Sequence, residues 1–226
     1  MYPDRSRSTG NSLMLTLWGR KSSINVQKVL WLFAELGLLE NRDFKRIDAG
    51  LHFGINKTPE YLKLNPNGLV PTLEDGQVVI WESNSILRYL VKKYADKNRF
   101  SLDLIQMASS DKWMDWQIST LWPSLRIPFL GLTRIPEAER DYVAIKNAFQ
   151  ESNRLFSILD GVLAQQRYCS GEQFHLGDIV LALCVKRWIM LSNEYPDKTG
   201  PRLELANISR WYDDICQTTQ FTKAIE

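Results

Sequence analysis

Three short segments of this 226-residue chain carry residue types and spacings that could do chemistry. In Gly19-Arg20-Lys21-Ser22-Ser23-Ile24-Asn25, hydroxyls and an amide gather just ahead of apolar residues at helical spacing. Side-chain donors beside a helix N-terminus stabilise an anion, a thiolate included, although Ser23 or Asn25 can instead be spent on capping. In Trp81-Glu82-Ser83-Asn84-Ser85 a carboxylate and a hydroxyl sit where a strand gives way to a helix. That helix N-terminus can hold a ligand carboxylate through backbone N–H groups, and Glu82 can take an ammonium. The pair fits an amino-acid-like group; the plainer reading is that Ser83 only caps the helix. The third segment is Val70-Pro71, a proline in what reads as a strand, where it forfeits a ladder hydrogen bond. It is either an edge-strand proline or a cis bond that turns the preceding N–H and C=O outward to grip a ligand.

The elements that must position these segments follow from periodicity. Residues 13–18 form an apolar run typical of a buried strand. Val26, Val29, Leu30, Phe33 and Leu36 then recur at helical spacing, and Gly37 supplies the stop. Residues 44–47 read as a strand, and Thr58-Pro59-Glu60 opens a short helix. Residues 69–73 and 78–81 read as strands joined by a turn at Asp75-Gly76. Ser83 is expected to cap a helix carrying Ile86, Leu87, Leu90, Val91 and Tyr94. The order β-α-β-α-β-β-α spans residues 13–95. Beyond a polar connection at 95–101 only helices are expected. Leu104, Met107, Ala108, Trp113 and Trp116 lie on one that Pro123 should end. Pro136-Glu137 begins a second, holding Phe149, Leu155, Phe156, Leu159 and Leu163. Residues 179–191 are nearly all apolar and belong inside. Residues 205–216 close the chain as an amphipathic helix. The organisation is therefore α/β plus all-α: a flexible leader at 1–12, an α/β layer domain at 13–95 and a helical bundle at 102–226.

Composition narrows the chemistry. Hydrophobic residues make up 44% and charged ones 24%, enough for a core and a soluble surface. Lys+Arg 28 against Asp+Glu 26 leaves +2, which argues against a nucleic-acid partner. No apolar run approaches the ~20 residues of a membrane span, and MYPDRSRSTGNS lacks the apolar stretch of a signal peptide. Cys169, Cys184 and Cys216 are too few and too scattered for a disulfide framework, which points to the reducing cytoplasm. With His52 and His175 as the only histidines, no metal site is expected. The nucleophile elbow G-x-S-x-G and the phosphate loops G-x-G-x-x-G and G-x-x-x-x-G-K are missing.

Four stretches, WGRKSSINVQKV, NPNGLVPTLEDG, WESNSILRYL and FHLGDIVLAL, stand in an order that resembles the cytosolic glutathione S-transferases. The match runs from residue 13 to about 215 and looks closest to a bacterial theta-like and nu-like branch. The resemblance implies a thioredoxin-like N-terminal domain, an all-helical C-terminal domain, a homodimer and glutathione as co-substrate. It implies that Val70, ahead of a cis Pro71, pairs its backbone with the cysteinyl unit, and that Glu82 and Ser83 hold the γ-glutamyl end. Ser23 falls where serine-type members place the hydroxyl that donates to the sulfur. Asn25 falls where nu-like members place an asparagine near it. Cysteine-type members carry Cys at the Ser23 position, so mixed-disulfide chemistry through a protein thiol is not expected here. Leu69 stands where many relatives have Lys or Gln reaching the glycine carboxylate, and His52, Lys57 or Arg20 are candidates to replace it. The late helix reads His175-Leu176-Gly177-Asp178 where the family's capping box reads Ser/Thr-x-x-Asp, so only the Asp178 half of the box is expected, with His175 a structural cap.

The electrophile pocket implied by the family lies between the two domains, facing the Ser23 loop. Trp113, Trp116, Trp122, Arg126 and Phe129 are candidates to line it, although helical aromatics also serve as core. Arg126 has mostly apolar sequence neighbours, and burying it would call for an anionic substrate group or an acidic partner. The resulting reading is a detoxification-type glutathione transferase that activates the thiolate for attack on small electrophiles, by conjugation or dehalogenation. Glutathione-dependent disulfide or peroxide reduction, hinted at by Asn25, and a non-catalytic glutathione-binding or interaction module remain as alternatives.

Overall fold

The computed structural model describes residues 14–96, 100 and 102–225; the expected leader and Leu13 lie outside the described residues. The first half contains β1 (Leu15–Trp18), α1 (Ile24–Glu35), β2 (Phe44–Ile47), α2 (Pro59–Leu64), β3 (Thr72–Asp75), β4 (Val78–Trp81) and α3 (Ser83–Tyr94). The sheet order is β2-β1-β3-β4, with β2 parallel to β1 and the other pairs antiparallel. The helix α1 stops where Gly37 adopts φ 69°, letting the Leu38 N–H reach the Phe33 carbonyl at 2.9 Å. The short α2 starts on Pro59, with the Thr58 hydroxyl accepting from the Tyr61 N–H.

The second half is helical: α4 (Leu104–Trp116), a π-helical turn (Gln117–Leu121), α5 (Trp122–Thr133), α6 (Tyr142–Leu163), α7 (Leu176–Glu194), α8 (Pro196–Thr199), α9 (Ala206–Thr218) and α10 (Phe221–Ile225). The central helix is α7, buried without a break from Leu176 to Val185. One apolar cluster runs through both halves, from Leu17, Leu32 and Leu73 around the sheet to Phe149, Phe156 and Trp188 among the helices. Polar ties cross the same boundary. Arg88 on α3 pairs with Asp111 and Asp115 on α4, and the Glu35 carboxylate accepts from both Trp31 Nε1 and the Gln220 N–H. Among the described residues no helix is long and apolar enough to cross a membrane.

Several expected boundaries move, each for a physical reason. The strand placed at 69–73 begins only at Thr72, because the Leu69 carbonyl is taken by side chains rather than by a neighbouring strand. Ser83 is not a cap; Glu82 occupies that position with φ 70° and Ser83 is the first helical residue. Pro123 does not end its helix. The wide π turn carries the chain onward, and Pro123 lands in the first turn of α5, where its missing N–H costs nothing. The helix expected at Pro136 starts instead after Asp141, whose carboxylate accepts from the Ala144 N–H. The last helix of the chain is α10, beyond the expected amphipathic one.

At the start of α7, Asp178 accepts from the N–H groups of His175 and Cys169 and from Trp211 Nε1, each at 2.9 Å. A second donor of that first turn, the Gly177 N–H, is met by the Ser110 hydroxyl of α4 at 2.8 Å. Both halves of the capping box are present, against the expectation of the Asp178 half alone, with His175 in the place of the usual hydroxyl, and Ser110 adds a tie from another helix. Asp178→Ala would strand three buried donors, so it should lower the unfolding free energy by about 3 kcal/mol or more. Urea denaturation checks this, and a loss below about 1 kcal/mol would refute the role.

Candidate functional site

Sheet register brings the three candidate segments together. Trp18 pairs with Ile47 on one side and Thr72 on the other, and Thr72 pairs with Trp81. The connections leaving or entering those four residues therefore emerge at one end of the sheet: the Gly19–Ser23 loop, the loop after β2, the Val70-Pro71 segment and the turn at Glu82. Contacts between the segments complete the assembly. Gly19 has φ 148°, and a Cβ there would run into Val26 Cγ2 and come within 3.3 Å of Val70 Cβ. Only glycine lets the Ser23 loop lie this close to the segment before β3.

The Val70-Pro71 bond is cis. Tyr61 on α2 and Asn65, the residue that caps the helix C-terminus, fix its approach: the Tyr61 hydroxyl and Asn65 Nδ2 both donate to the Leu69 carbonyl, at 2.6 and 3.0 Å. Asn56 Nδ2 holds the Gly68 carbonyl at 2.6 Å. Among the described residues no protein group bonds the Val70 N–H or C=O, and this half-exposed residue presents both for pairing.

Glu82 is exposed, and its φ of 70° is a conformation that costs a non-glycine residue about 1–3 kcal/mol. Glu82 stands as the N-cap of α3 without a side-chain capping bond, next to helix N–H groups that lack intrahelical acceptors. Ser83 is buried, and its hydroxyl donates to Asn25 Oδ1 at 3.3 Å, joining α3 to α1. Ser23 is the N-cap of α1, yet its hydroxyl makes no capping bond. It is buried to 9% exposure while Ser22 beside it is exposed. The hydroxyl is therefore unspent.

Lys28 lies beneath these groups, fully buried on α1. Its ammonium donates to Ser83 Oγ, Asn84 Oδ1 and Gln117 Oε1 at 3.4, 3.1 and 2.9 Å. Burial lowers its pKa to about 8, against the opposing pull of Cys184 and Glu82. The Cys184 thiol, which accepts from Gln117 Nε2, is pushed up to about 11 by burial. Sequence reading missed this residue. The signal was available: Lys28 falls four residues after Ile24 and four before Leu32, on the apolar stripe of α1.

The remaining candidates divide. Arg20 packs against Gly50 with its Nε buried and unpartnered among the described residues, and burial lowers its pKa. His52 and Lys57 are exposed on short turns after β2, His52 against the Phe53 ring. Trp113 is buried where α4 meets Gly177 of α7, edge-on to the half-buried Trp116. Trp122 and Phe129 are half-buried on α5 with ring centroids 6.0 Å apart. Arg126 is exposed, so the burial cost expected for it does not arise. The buried arginine is Arg187 on α7, which the sequence reading did not single out. It lies over the Phe129 ring, donates to Gln27 Oε1 and leaves its Nε unpartnered among the described residues. Its pKa and that of Arg20 are lowered by burial and further by the charge of Arg134 at the end of α5.

Residues 13–92 match the family described as glutathione S-transferase, N-terminal domain, and residues 114–218 match glutathione S-transferase, C-terminal domain. The chain is 37% identical over 214 residues to glutathione S-transferase GstB of Escherichia coli K12, covering 94% of this chain and 98% of that protein. It is 27% identical to glutathione S-transferase 3 of Zea mays over 93% of each chain. The crystal structure of a theta class glutathione S-transferase from Xanthomonas axonopodis pv. citri with glutathione bound superposes with a TM-score of 0.83 at 40% identity. It covers 93% of this chain and 96% of that one.

The unspent Ser23 hydroxyl has a stability consequence. Ser23→Ala should leave the unfolding free energy within about 0.5 kcal/mol of the parent, whereas Thr58→Ala, which removes a formed cap, should cost about 1 kcal/mol. Thermal denaturation of the two variants compares them directly. Equal losses would mean that Ser23 is an ordinary cap.

Proposed function

The chain belongs to the glutathione S-transferase family, and we propose that it binds glutathione at this end of the sheet and activates its thiolate for attack on small electrophiles. The observation that carries the reading is the buried, unspent Ser23 hydroxyl at the N-terminus of α1, two residues before Asn25. In this reading Glu82 takes the γ-glutamyl ammonium and the first N–H groups of α3 take its carboxylate. The free backbone of Val70 pairs with the cysteinyl unit.

A free thiol titrates near ~8.5, and each unit of depression needs about 1.4 kcal/mol of thiolate stabilisation. Hydrogen bonds from Ser23 and from the Asn25 amide, with the α1 dipole behind them, supply that order of energy. The thiol proton leaves to solvent. The sulfur lone pair then forms the bond to the electrophilic carbon as the leaving group, a halide in dehalogenation, departs with its electron pair.

The electrophile is read as entering between the domains, against Trp122 and Phe129 of α5, with Trp116 at the edge and Trp113 as core support. Arg134 and Arg187 have no carboxylate partner among the described residues, which favours an electrophile carrying an acidic group. Arg20, His52 and Lys57 remain the candidates for the glycine carboxylate. A cytoplasmic homodimer fits the free cysteines and the exposed Val78, Val79 and Trp81 of the edge strand β4.

Turnover of an activated chloronitroarene tests the reading. Ser23→Ala should lose about ten- to a hundredfold in rate near neutral pH and recover part of it as pH rises, since the thiolate then forms unaided. Ser22→Ala should keep most of the activity. Asn25→Ala should lose less than Ser23→Ala for transferase chemistry and more for glutathione-dependent reduction. Full activity in all three variants would contradict side-chain activation of the thiolate.

A further inference from the structure

Lys28 is a buried charge that thiolate activation by Ser23 and Asn25 leaves without a task. Among the described residues its ammonium meets no carboxylate, only the three neutral oxygens of Ser83, Asn84 and Gln117. An ammonium has three protons to give and no lone pair to receive. It is saturated by these acceptors, and the Ser83 oxygen, once it accepts from Lys28, turns its own proton to Asn25 Oδ1. With its carbonyl held by Ser83, the Asn25 amide keeps its N–H groups pointing away from α3.

We propose that Lys28 is a positioning residue for thiolate activation: its ammonium orients Ser83, Ser83 orients Asn25, and Asn25 presents amide protons to the sulfur. This rests on the glutathione reading of Ser23 and Asn25. Gln117 gives the relay a foot in the helical half, since it sits at the first position of the π turn. π turns commonly mark functional sites because the extra residue redirects a side chain inward.

Removing the proton should undo the relay. Neutral lysine keeps two protons and gains a lone pair, so Ser83 can donate to nitrogen and release Asn25 Oδ1. The pKa of about 8 puts this change in the range where thiolates form. The titratable groups facing Lys28 are Cys184 on α7 and Glu82 ahead of α3. Cys184 stays a neutral thiol through this range, being pushed up to about 11. A lysine whose pKa is lowered on folding stabilises the fold as pH rises from about 8 towards 10.5, because the unfolded chain holds the proton longer. The relay's stabilisation of the thiolate needs the ammonium and counts most below that interval, since above it a thiolate forms unaided.

The test measures kcat and KM for glutathione against pH with a non-ionising chloronitroarene, for the wild type, Lys28→Met, Lys28→Arg and Ser83→Ala. Calorimetry of glutathione binding and thermal midpoints are taken at the same pH values. Lys28→Met should lose about tenfold in kcat at neutral pH, bind glutathione within about threefold of wild type, and regain most of the rate by about pH 9, where the thiolate forms unaided. Lys28→Arg, charged throughout, should keep more of kcat at neutral pH than Lys28→Met. Ser83→Ala, which cuts the relay one step later, should shift the rising limb of kcat in the same direction as Lys28→Met. A folded Lys28→Met with the wild-type profile overturns the proposal, and an unshifted kcat profile in Ser83→Ala overturns it even if Lys28→Met fails to fold. Failure of the wild type to bind glutathione would instead overturn the reading beneath it.

Discussion

One row of cross-strand partners, Ile47, Trp18, Thr72 and Trp81, is the constraint on which the site depends. Strand pairing has a side-chain period of two, so a one-residue slip anywhere in the row would turn inward-facing residues out. The register is therefore pinned by burial of Leu15, Leu17 and Leu73 on the helix-covered sheet. With those four residues level, the chain has to leave β1, enter β3 and leave β4 at the same edge. Ser23, Val70 and Glu82 come from positions far apart in sequence, yet none needs a long loop to reach the others.

The helical half supports the polar floor under that edge. A lone buried ammonium is costly unless its hydrogen bonds are complete. Two of the Lys28 acceptors come from the start of α3 and the third from the π turn between α4 and α5. Asn84 in turn donates to the Met114 carbonyl, so α3 and α4 are tied on both sides of the lysine. The strain at Glu82 persists for the same reason: Ser83 and Asn84, the next two residues, are held by Lys28 and Asn25 and leave the backbone no room to relax. Separating the halves would expose the lysine and take away its Gln117 acceptor.

Much of this was legible in the sequence because local signals agree with the fold. Gly37 ends α1, Pro59 starts α2, and the runs at β2 and β4 stand where periodicity placed them. The segments around Ser23, Pro71 and Glu82 were readable from residue types at element boundaries. What escaped depends on partners distant in sequence. Tyr61 and Asn65 read as an ordinary helix until the Leu69 carbonyl arrives between them. Ser110 adds a hydroxyl to the first turn of α7, from a helix far earlier in the chain. The π turn hid the role of Pro123, because a helix that widens by one residue leaves no compositional mark. Arg126 and Arg187 were exchanged in importance because exposure on α5 and burial on α7 are set by packing alone.

The central claim is that the end of the sheet lowers the pKa of a bound thiol using groups already in place. The most direct measurement is titration of the ultraviolet thiolate absorbance of glutathione bound to the wild-type protein, against the same titration of free glutathione. A midpoint one to two units below the free value of about 8.5, leaving half or more of the bound thiol ionised at pH 7.5, is the predicted result. A bound thiol that titrates at the free value would contradict the account.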